Sequence, residues 1–155
     1  MKTTRILALL SVVVSLFSCD TQVLYEKNYA LEDKIWQAHD IKAFEVEIKD
    51  TLQLYDLFLN LRNSKSYRFA NLYLFAKTTY PSGRITKDTL QFFLADPKGK
   101  WLGTSAGDLV NHQIMFSHNT VFPETGNYLI EFEQGMRDEN LEHIADVGLR
   151  VARTK

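Results

Sequence analysis

The chain has 155 residues, of which 45% are hydrophobic and 24% are charged. These values are typical of one packed globular domain and exclude a disordered or low-complexity chain. The formal net charge of −1 provides no basic surface for nucleic acid, and the single cysteine excludes an intramolecular disulfide and a multi-cysteine zinc site.

The N-terminus has the three parts of a secretory signal peptide. Lys2 and Arg5 form a positive start, residues 6–17 are an uncharged and mostly apolar run, and Ser18 is a small residue before Cys19. The apolar run is shorter than the ~20 residues that a transmembrane helix requires. We therefore predict that residues 1–18 are a cleaved signal peptide and that the mature chain has a charge near −3.

The residues at the predicted cleavage site also predict the attachment of a lipid. Leu16-Phe17-Ser18-Cys19 resembles the lipobox of bacterial lipoproteins. The resemblance implies cleavage before Cys19 and a diacylglyceryl group, with acyl chains of the palmitate class, on its sulfur. Two or more acyl chains anchor a protein stably because each buried CH₂ contributes ~0.8 kcal/mol. The alternative is a plain secretory signal followed by an incidental cysteine.

The lipid anchor leaves the choice of membrane open. We expect the cell envelope, on the periplasmic side of the outer membrane, with the inner membrane as the alternative. Asp20 would favour inner-membrane retention in enteric bacteria, although that rule transfers poorly to other phyla. Residues 21–25 contain no acidic run that would mark the protein for surface export.

The remaining sequence predicts short strands. Residues 19–40 are mixed and polar, and we interpret them as a lipidated tether and docking segment. Over residues 41–155 apolar and polar side chains alternate, with Pro or Gly turns between the runs, which is the pattern of half-buried strands. The predicted inward positions include Phe44, Val46, Ile48, Tyr55, Leu57, Leu59, Leu61, Leu72, Leu74, Ala76, Leu90, Phe92, Tyr128, Ile130, Phe132, Val147, Leu149 and Val151. About eight strands predict an all-β, jelly-roll-like β-sandwich.

The acidic residues and histidines do not indicate an enzyme. A glycosidase requires two carboxylates that face each other about 5–10 Å apart. The candidates are Asp96, Asp108, Glu131 and Glu133. Glu131 and Glu133 alternate with apolar residues, so we place them on the solvated side of a strand. His112 and His118 lack metal-ligand spacing, and we interpret His112 as a core residue. We expect no catalytic, cofactor-binding or metal-binding residue.

Aromatic residues occur on both faces of two neighbouring predicted strands, and on the second of these Phe93 lies opposite Phe92. Tyr73 and Phe75 alternate with Leu72 and Leu74, so they point to the opposite face. Either this second face is covered, for instance by the N-terminal segment, or it is a platform for a partner protein or for sugar rings. We favour a covered face.

A series of short motifs resembles the gliding-motility-associated lipoprotein family GldH of Bacteroidota. The motifs follow the family order along nearly the whole chain. They are the lipobox at Cys19, Leu61-Arg62-Asn63 with Tyr67, Asn71-Leu72-Tyr73-Leu74-Phe75, Pro81-Ser82-Gly83, Asp88-Thr89-Leu90, Leu94-Ala95-Asp96, Gly99-Lys100-Trp101-Leu102-Gly103, Phe122-Pro123, Gly126, Tyr128, Gln134-Gly135-Met136-Arg137 and Asp146-Val147-Gly148-Leu149-Arg150.

The resemblance implies an envelope lipoprotein linked to gliding motility and to the associated protein-secretion machinery, without enzyme activity or a known ligand. The family also occurs in bacteria that do not glide, where a general role in envelope assembly or secretion is expected. The expected partners are other envelope proteins of this machinery. The alternative is a β-sandwich that binds polysaccharide or peptidoglycan. The candidate partner or ligand contacts are Tyr73, Phe75, Trp101, Arg137 and Arg150.

Two of the matched motifs also carry structural expectations. We expect Arg137 and Arg150 to pair with Asp146 or Asp96 inside the fold, and to contact a partner only if they do not. We expect Gly135 to adopt a backbone conformation that other residues avoid.

Overall fold

A computed structural model describes residues 22–154. Within that range the chain forms eleven β-strands and one short 3₁₀ turn at Glu32–Lys34. The strands are β1 (Val23–Ala30), β2 (Ile35–Gln37), β3 (Lys42–Ile48), β4 (Tyr55–Ser64), β5 (Asn71–Thr79), β6 (Ile85–Phe93), β7 (Thr104–Ala106), β8 (Leu109–Thr120), β9 (Gly126–Gln134), β10 (Asn140–Glu142) and β11 (Ile144–Arg153). The prediction of an all-β fold is confirmed.

The strands form two main antiparallel sheets. The five-stranded sheet has the order β1-β11-β4-β8-β7, and the four-stranded sheet has the order β3-β9-β5-β6. A small third sheet pairs β10 with β2. Eight strands have seven or more residues, while β2, β7 and β10 have three each. The eight predicted strands were therefore too few, because the eight-residue β1 was missed and because a three-residue strand has no readable alternation.

The two main sheets pack face to face around one core. Aromatic rings cross between them in edge-to-face contacts, which join Tyr29 on β1 to Phe44 on β3 and Phe116 on β8 to Phe132 on β9. The centroid separations are 5.4 Å and 6.0 Å. The apolar positions predicted to point inward on β3 and β4 are buried, because strict alternation directs them all to one face. This arrangement is a β-sandwich.

The N-terminal segment belongs to the sandwich more fully than predicted. Residues 23–30 form an edge strand that pairs with β11 from Val23↔Ala152 to Ala30↔Asp146. The predicted domain boundary at residue 41 therefore falls within the five-stranded sheet, because it separates β1 from the other four strands of that sheet. The signal peptide and the first three residues of the predicted tether, residues 19–21 with Cys19 among them, lie outside the described residues.

The small β2–β10 sheet closes the end of the sandwich where β1 finishes. Trp36 on β2 is completely buried beside Leu141 on β10, and its indole Nε1–H donates to the Asp40 carbonyl at 2.8 Å. Burying a tryptophan with its polar atom satisfied is a strong local contribution to stability. Over residues 22–154 the chain has no helix with the length and hydropathy needed to cross a bilayer.

Candidate interaction surface

The outer face of the four-stranded sheet presents a group of exposed apolar side chains. Phe93 is 63% exposed, Phe75 49%, Ile41 48% and Tyr73 37%. Tyr73 and Phe75 lie on β5, Phe93 on β6 and Ile41 just before β3. We call these four residues the aromatic face. A group of large apolar residues left in solvent on one sheet is typical of an interaction surface.

The expectation that this face is covered was wrong. The N-terminal segment was the proposed cover, but β1 hydrogen-bonds to the edge of the other sheet. The predicted side-chain directions were right, because Leu72 and Leu74 are completely buried while Tyr73 and Phe75 point outward. Sequence reasoning did not identify Ile41, which precedes its strand and stands alone in a polar stretch.

A groove of about 400 Å³ runs beside Phe75. The Lys77 Nζ lies 2.6 Å from Oε2 of Glu131, and the Glu133 carboxylate lies 3.9 Å from Nδ1 of His39. The first contact pairs the two charges, although its angle is not that of a hydrogen bond. Each of the two glutamates considered for catalysis therefore has a basic neighbour on this face.

Gly135 lies directly against Tyr73 and Phe75 of the aromatic face. Its φ is not positive, so the expected unusual backbone conformation is absent and that prediction was wrong. A Cβ at this position would lie 3.3 Å from the Phe75 ring and 3.3 Å from the Tyr73 Cβ. The Gly135 N–H also donates to the Tyr73 carbonyl at 2.7 Å. Glycine is needed here for close approach of the rings rather than for backbone freedom.

Arg150 belongs to a polar network on the outer face of the other sheet. Its Nη1 donates to Glu26 Oε2 at 2.7 Å, while Asp146 is paired with Arg62 at 2.5 Å. Arg150 therefore pairs inside the fold, but with Glu26 on β1 and not with either predicted aspartate. The Asn60 amide joins the network by donating to Glu26 Oε1 at 2.7 Å.

Arg137 has a different position. It is exposed between β9 and β10, so the predicted pairing with Asp146 or Asp96 was wrong. Its location leaves it as a candidate partner contact. It lies just beyond Gly135 and Met136, and Met136 Sδ accepts a contact from the Tyr73 N–H at 3.3 Å.

Trp101 lies in the loop that joins β6 to β7, and its ring packs toward β8. Trp101 forms a single β-bridge with Ala95. The Trp101 ring packs edge-on against His112 at 6.5 Å. A Cβ at Gly103 would lie 2.4 Å from the Asn111 carbonyl oxygen, so glycine allows this loop to approach β8. Trp101 therefore has a packing role and does not join Tyr73 and Phe75.

His112 is the core residue that the alternation predicted. It is 6% exposed, and its Nε2 lies 2.9 Å from Asn63 Oδ1, with the proton assigned to Nε2 so that it donates. Burial lowers the pKa of His112 below its ordinary value. The cause is desolvation, since the imidazolium ion loses hydration that the neutral ring does not need.

This lowered pKa predicts a pH-dependent stability. Below about pH 6.5 the unfolded chain binds a proton at His112 that the folded chain resists, so the free energy of unfolding falls as pH decreases. We expect His112→Gln, which retains a donor for Asn63, to show a shallower decline than the wild type between about pH 7.5 and pH 5. Urea denaturation across this range measures both slopes. Equal slopes would contradict the assignment.

The described residues show no arrangement for metal chemistry. Across residues 22–154 no group of three or more His, Cys, Asp or Glu side chains is placed to hold a metal ion. The lipidation prediction at Cys19 falls outside this range.

Comparisons with known proteins identify the family. The family model described as GldH lipoprotein matches residues 23–151, the whole sandwich apart from its last two strand residues. A "Gliding motility lipoprotein GldH homolog" of Christiangramia forsetii is 32% identical over 149 residues, which cover 92% of this chain and 91% of that protein. The "Gliding motility lipoprotein GldH" of Flavobacterium johnsoniae is 31% identical over 150 residues, 92% of each chain.

Similarity to solved structures is much weaker. Dimeric latent PorU from Porphyromonas gingivalis aligns with a TM-score of 0.36 and 7% identity, covering 88% of this chain and 13% of that one. A structure of infectious bursal disease virus, Gx strain, aligns with a TM-score of 0.32 and 11% identity, covering 88% of this chain and 33% of that one. Neither structural alignment is close enough to support a conclusion about this chain. The sequence matches do, and they show that the chain belongs to the GldH lipoprotein family.

Proposed function

We propose that this protein is a non-catalytic accessory lipoprotein of gliding motility and the associated secretion machinery. In this proposal, lipid on Cys19 holds it at a membrane of the cell envelope, and the aromatic face docks onto another envelope protein. The observation that carries the docking step is the exposure of Phe75 and Phe93 on a sheet whose other side buries Leu72, Leu74 and Phe92 in the core. The link to motility comes from the names of the two relatives.

The composition of the face favours a protein partner. Aromatic and aliphatic side chains lie beside the paired charges of Lys77 and Glu131, so an apolar partner surface could cover that contact without stranding either ion. Aromatic anchors of this kind dominate the energy of many protein interfaces. Confinement of both partners to one membrane raises their effective concentration, so a weak contact is sufficient.

Site-specific cross-linking in cells tests this proposal. A photoreactive amino acid at Phe75 is expected to capture an envelope protein of the motility or secretion machinery, identified by mass spectrometry. The matched control is the same group at Met115, which is 46% exposed on the outer face of the other sheet. Capture should also fail when Cys19→Ala removes the anchor. Equal capture from both positions would contradict docking through the aromatic face.

A double substitution gives the corresponding affinity prediction. Phe75→Ser with Phe93→Ser should weaken partner binding by at least about 30-fold, because an aromatic anchor commonly contributes about 2 kcal/mol or more. Both side chains are largely in solvent, so the free energy of unfolding should change little. Binding is measured with the partner identified by cross-linking, and spreading on agar reports motility. Met115→Ser is the control and should bind normally.

A glycan ligand is the second candidate. Exposure of the Tyr73 and Phe75 pair, with polar Gln91 and Thr89 opposite them on β6, is the observation that favours it. Sugar rings stack on exposed aromatic side chains of this kind. Recovery of polysaccharide or peptidoglycan fragments on the Phe75 cross-linker, without a consistent protein, would support this candidate over the first.

A further inference from the structure

Gln22, from which the chain continues back toward Cys19, lies at one end of the sandwich. The Gln22 carbonyl accepts a hydrogen bond from the Arg153 N–H at 2.8 Å, and the Thr154 N–H donates to the Leu54 carbonyl at 2.9 Å. Pairing of Tyr55 with Thr120 brings the last residues of β8 to the same place. The loops 49–54 and 121–125 connect the two sheets here, with the hairpin 81–84 beside them. We call this region the anchor end.

The chain between Cys19 and the sandwich is very short. Cys19 precedes Gln22 by three residues, and consecutive Cα atoms are 3.8 Å apart, so their Cα atoms are separated by at most about 11 Å. This limit holds for every conformation of residues 19–22. If the Cys19 acyl chains enter a bilayer, the anchor end must lie next to its headgroups.

The anchor end also exposes apolar side chains. Leu52 is 92% exposed, Val121 57%, Ile85 53% and Leu54 38%. Leu52 is the most exposed large apolar residue among residues 22–154. Leaving a leucine in water is unfavourable in proportion to its apolar area, whereas the membrane interface accepts such side chains.

The loop that carries Leu52 is held in place. Asp50 Oδ1 accepts the Leu52 N–H at 2.8 Å, and the Tyr55 hydroxyl donates to the Asp50 carbonyl at 3.1 Å. Nearby, Asp56 Oδ1 accepts from the Asn119 N–H at 3.0 Å. A turn fixed by its own aspartate presents Leu52 outward without the entropy loss of ordering a loop on contact.

Charges at this end are mixed. Lys49 lies 3.2 Å from Glu47, and the Arg84 guanidinium stacks 3.7 Å from the centre of the Tyr80 ring. Glu124 accepts from the Ser82 N–H at 2.9 Å. Because acidic and basic groups occur together, the contact should depend on apolar area and not on anionic lipid.

We propose that the anchor end is a membrane-contact surface, in which Leu52 and Val121 enter the headgroup region of the leaflet that holds the Cys19 lipid. This inference rests on the lipid anchoring in the proposed function. It adds a second point of attachment, so the sandwich stands on the membrane in one orientation. The aromatic face lies toward the opposite end, with Phe93 at the far end of β6 from Ile85.

Fluorescent labels at the two ends of the sandwich test the contact. The lipidated protein is reconstituted into phosphatidylcholine vesicles, and because the thioether occupies Cys19, a cysteine introduced by Leu52→Cys is the only reactive thiol. The matched control is Leu102→Cys, another leucine, 60% exposed at the opposite end where its N–H donates to the Leu94 carbonyl. An environment-sensitive label should be quenched by nitroxide-bearing acyl chains several-fold more strongly at position 52. Equal, weak quenching would overturn the proposal.

A second measurement separates apolar contact from tethering alone. The label is placed by Ile85→Cys, and Leu52→Asp with Val121→Asp is added. We expect quenching at position 85 to fall at least about twofold while remaining above that of the Leu102→Cys control, because the tether still holds this end near the bilayer, and Leu102→Asp should leave it unchanged. Unchanged quenching in the double aspartate variant would show that the tether alone sets the distance and would overturn the proposal.

Flotation with the vesicles distinguishes failure of the membrane contact from failure of lipid anchoring. Protein that floats while the label at position 52 reports water contradicts only the membrane contact. Protein that does not float contradicts lipid anchoring as well, and with it the membrane part of the proposed function.

Discussion

Replacement of Phe132 by alanine is expected to lower the free energy of unfolding by about 3–5 kcal/mol. Phe132 is completely buried at the centre of the sandwich, with its ring 5.2 Å from that of Phe44 and 6.0 Å from that of Phe116. Its removal leaves a cavity between the two sheets that the rigid strands on both sides cannot close. The loss would be at least a fifth of the ~5–15 kcal/mol by which an ordinary domain is stable. Urea denaturation followed by the fluorescence of buried Trp36 measures it.

The matched control is Phe93→Ala on the same sheet. Phe93 points to the other side and is 63% exposed, so its truncation should change the free energy of unfolding by less than about 0.5 kcal/mol. Similar losses at both positions would mean that the outer face of the sheet is covered, and they would contradict the aromatic face as a free surface.

Gly148→Ala is expected to destabilise the five-stranded sheet by about 1–3 kcal/mol. A Cβ at this position would lie 1.9 Å from Asn28 Oδ1 and 2.6 Å from the Lys27 carbonyl oxygen. The Asn28 side chain can rotate away, but the Lys27 oxygen is backbone, so β1 itself must shift from β11. Alanine otherwise favours folding at a compatible strand position, because it restricts the unfolded chain. The predicted loss therefore requires that the steric clash cost more free energy than alanine gains by restricting the unfolded chain.

Gly135→Ala provides the comparison, since a Cβ there would meet its neighbours at 3.3 Å. We expect a smaller loss at Gly135 than at Gly148. Hydrogen exchange should show faster exchange of β1 amides in Gly148→Ala, with little change in β5 and β9. If Asn28→Ala fully restored the stability of Gly148→Ala, the clash would be with the side chain alone and the proposed shift of β1 would be wrong.

Much of the core could be predicted because period-two alternation acts within one strand. Phe44, Val46 and Ile48 are buried as their spacing required, and so are the alternate residues of β4 from Tyr55. By contrast, β1 was missed. It is an edge strand in which none of the eight residues is fully buried, so it carries no apolar pattern.

The interaction surface was only partly predictable, for a different reason. Alternation gave the direction of Tyr73 and Phe75, but whether they are covered depends on where a segment about fifty residues earlier docks. The partner of Arg150 was hidden in the same way, because Glu26 comes beside it only when β1 pairs with β11. Local spacing predicts which side a residue faces, whereas strand order decides what it meets.

If Cys19 carries the proposed lipid, the position of β1 has a mechanical consequence. Tension between a membrane anchor at Cys19 and a partner on the opposite sheet would pull β1 along its own axis, past β11. The load would then fall in shear on the ladder from Val23 to Ala30, with its hydrogen bonds stretched together and not one after another. The Asn28 side chain packs directly against Gly148, and this contact would oppose sliding of β1 along β11. A strand with no fully buried residue is thus the one through which force would reach the fold.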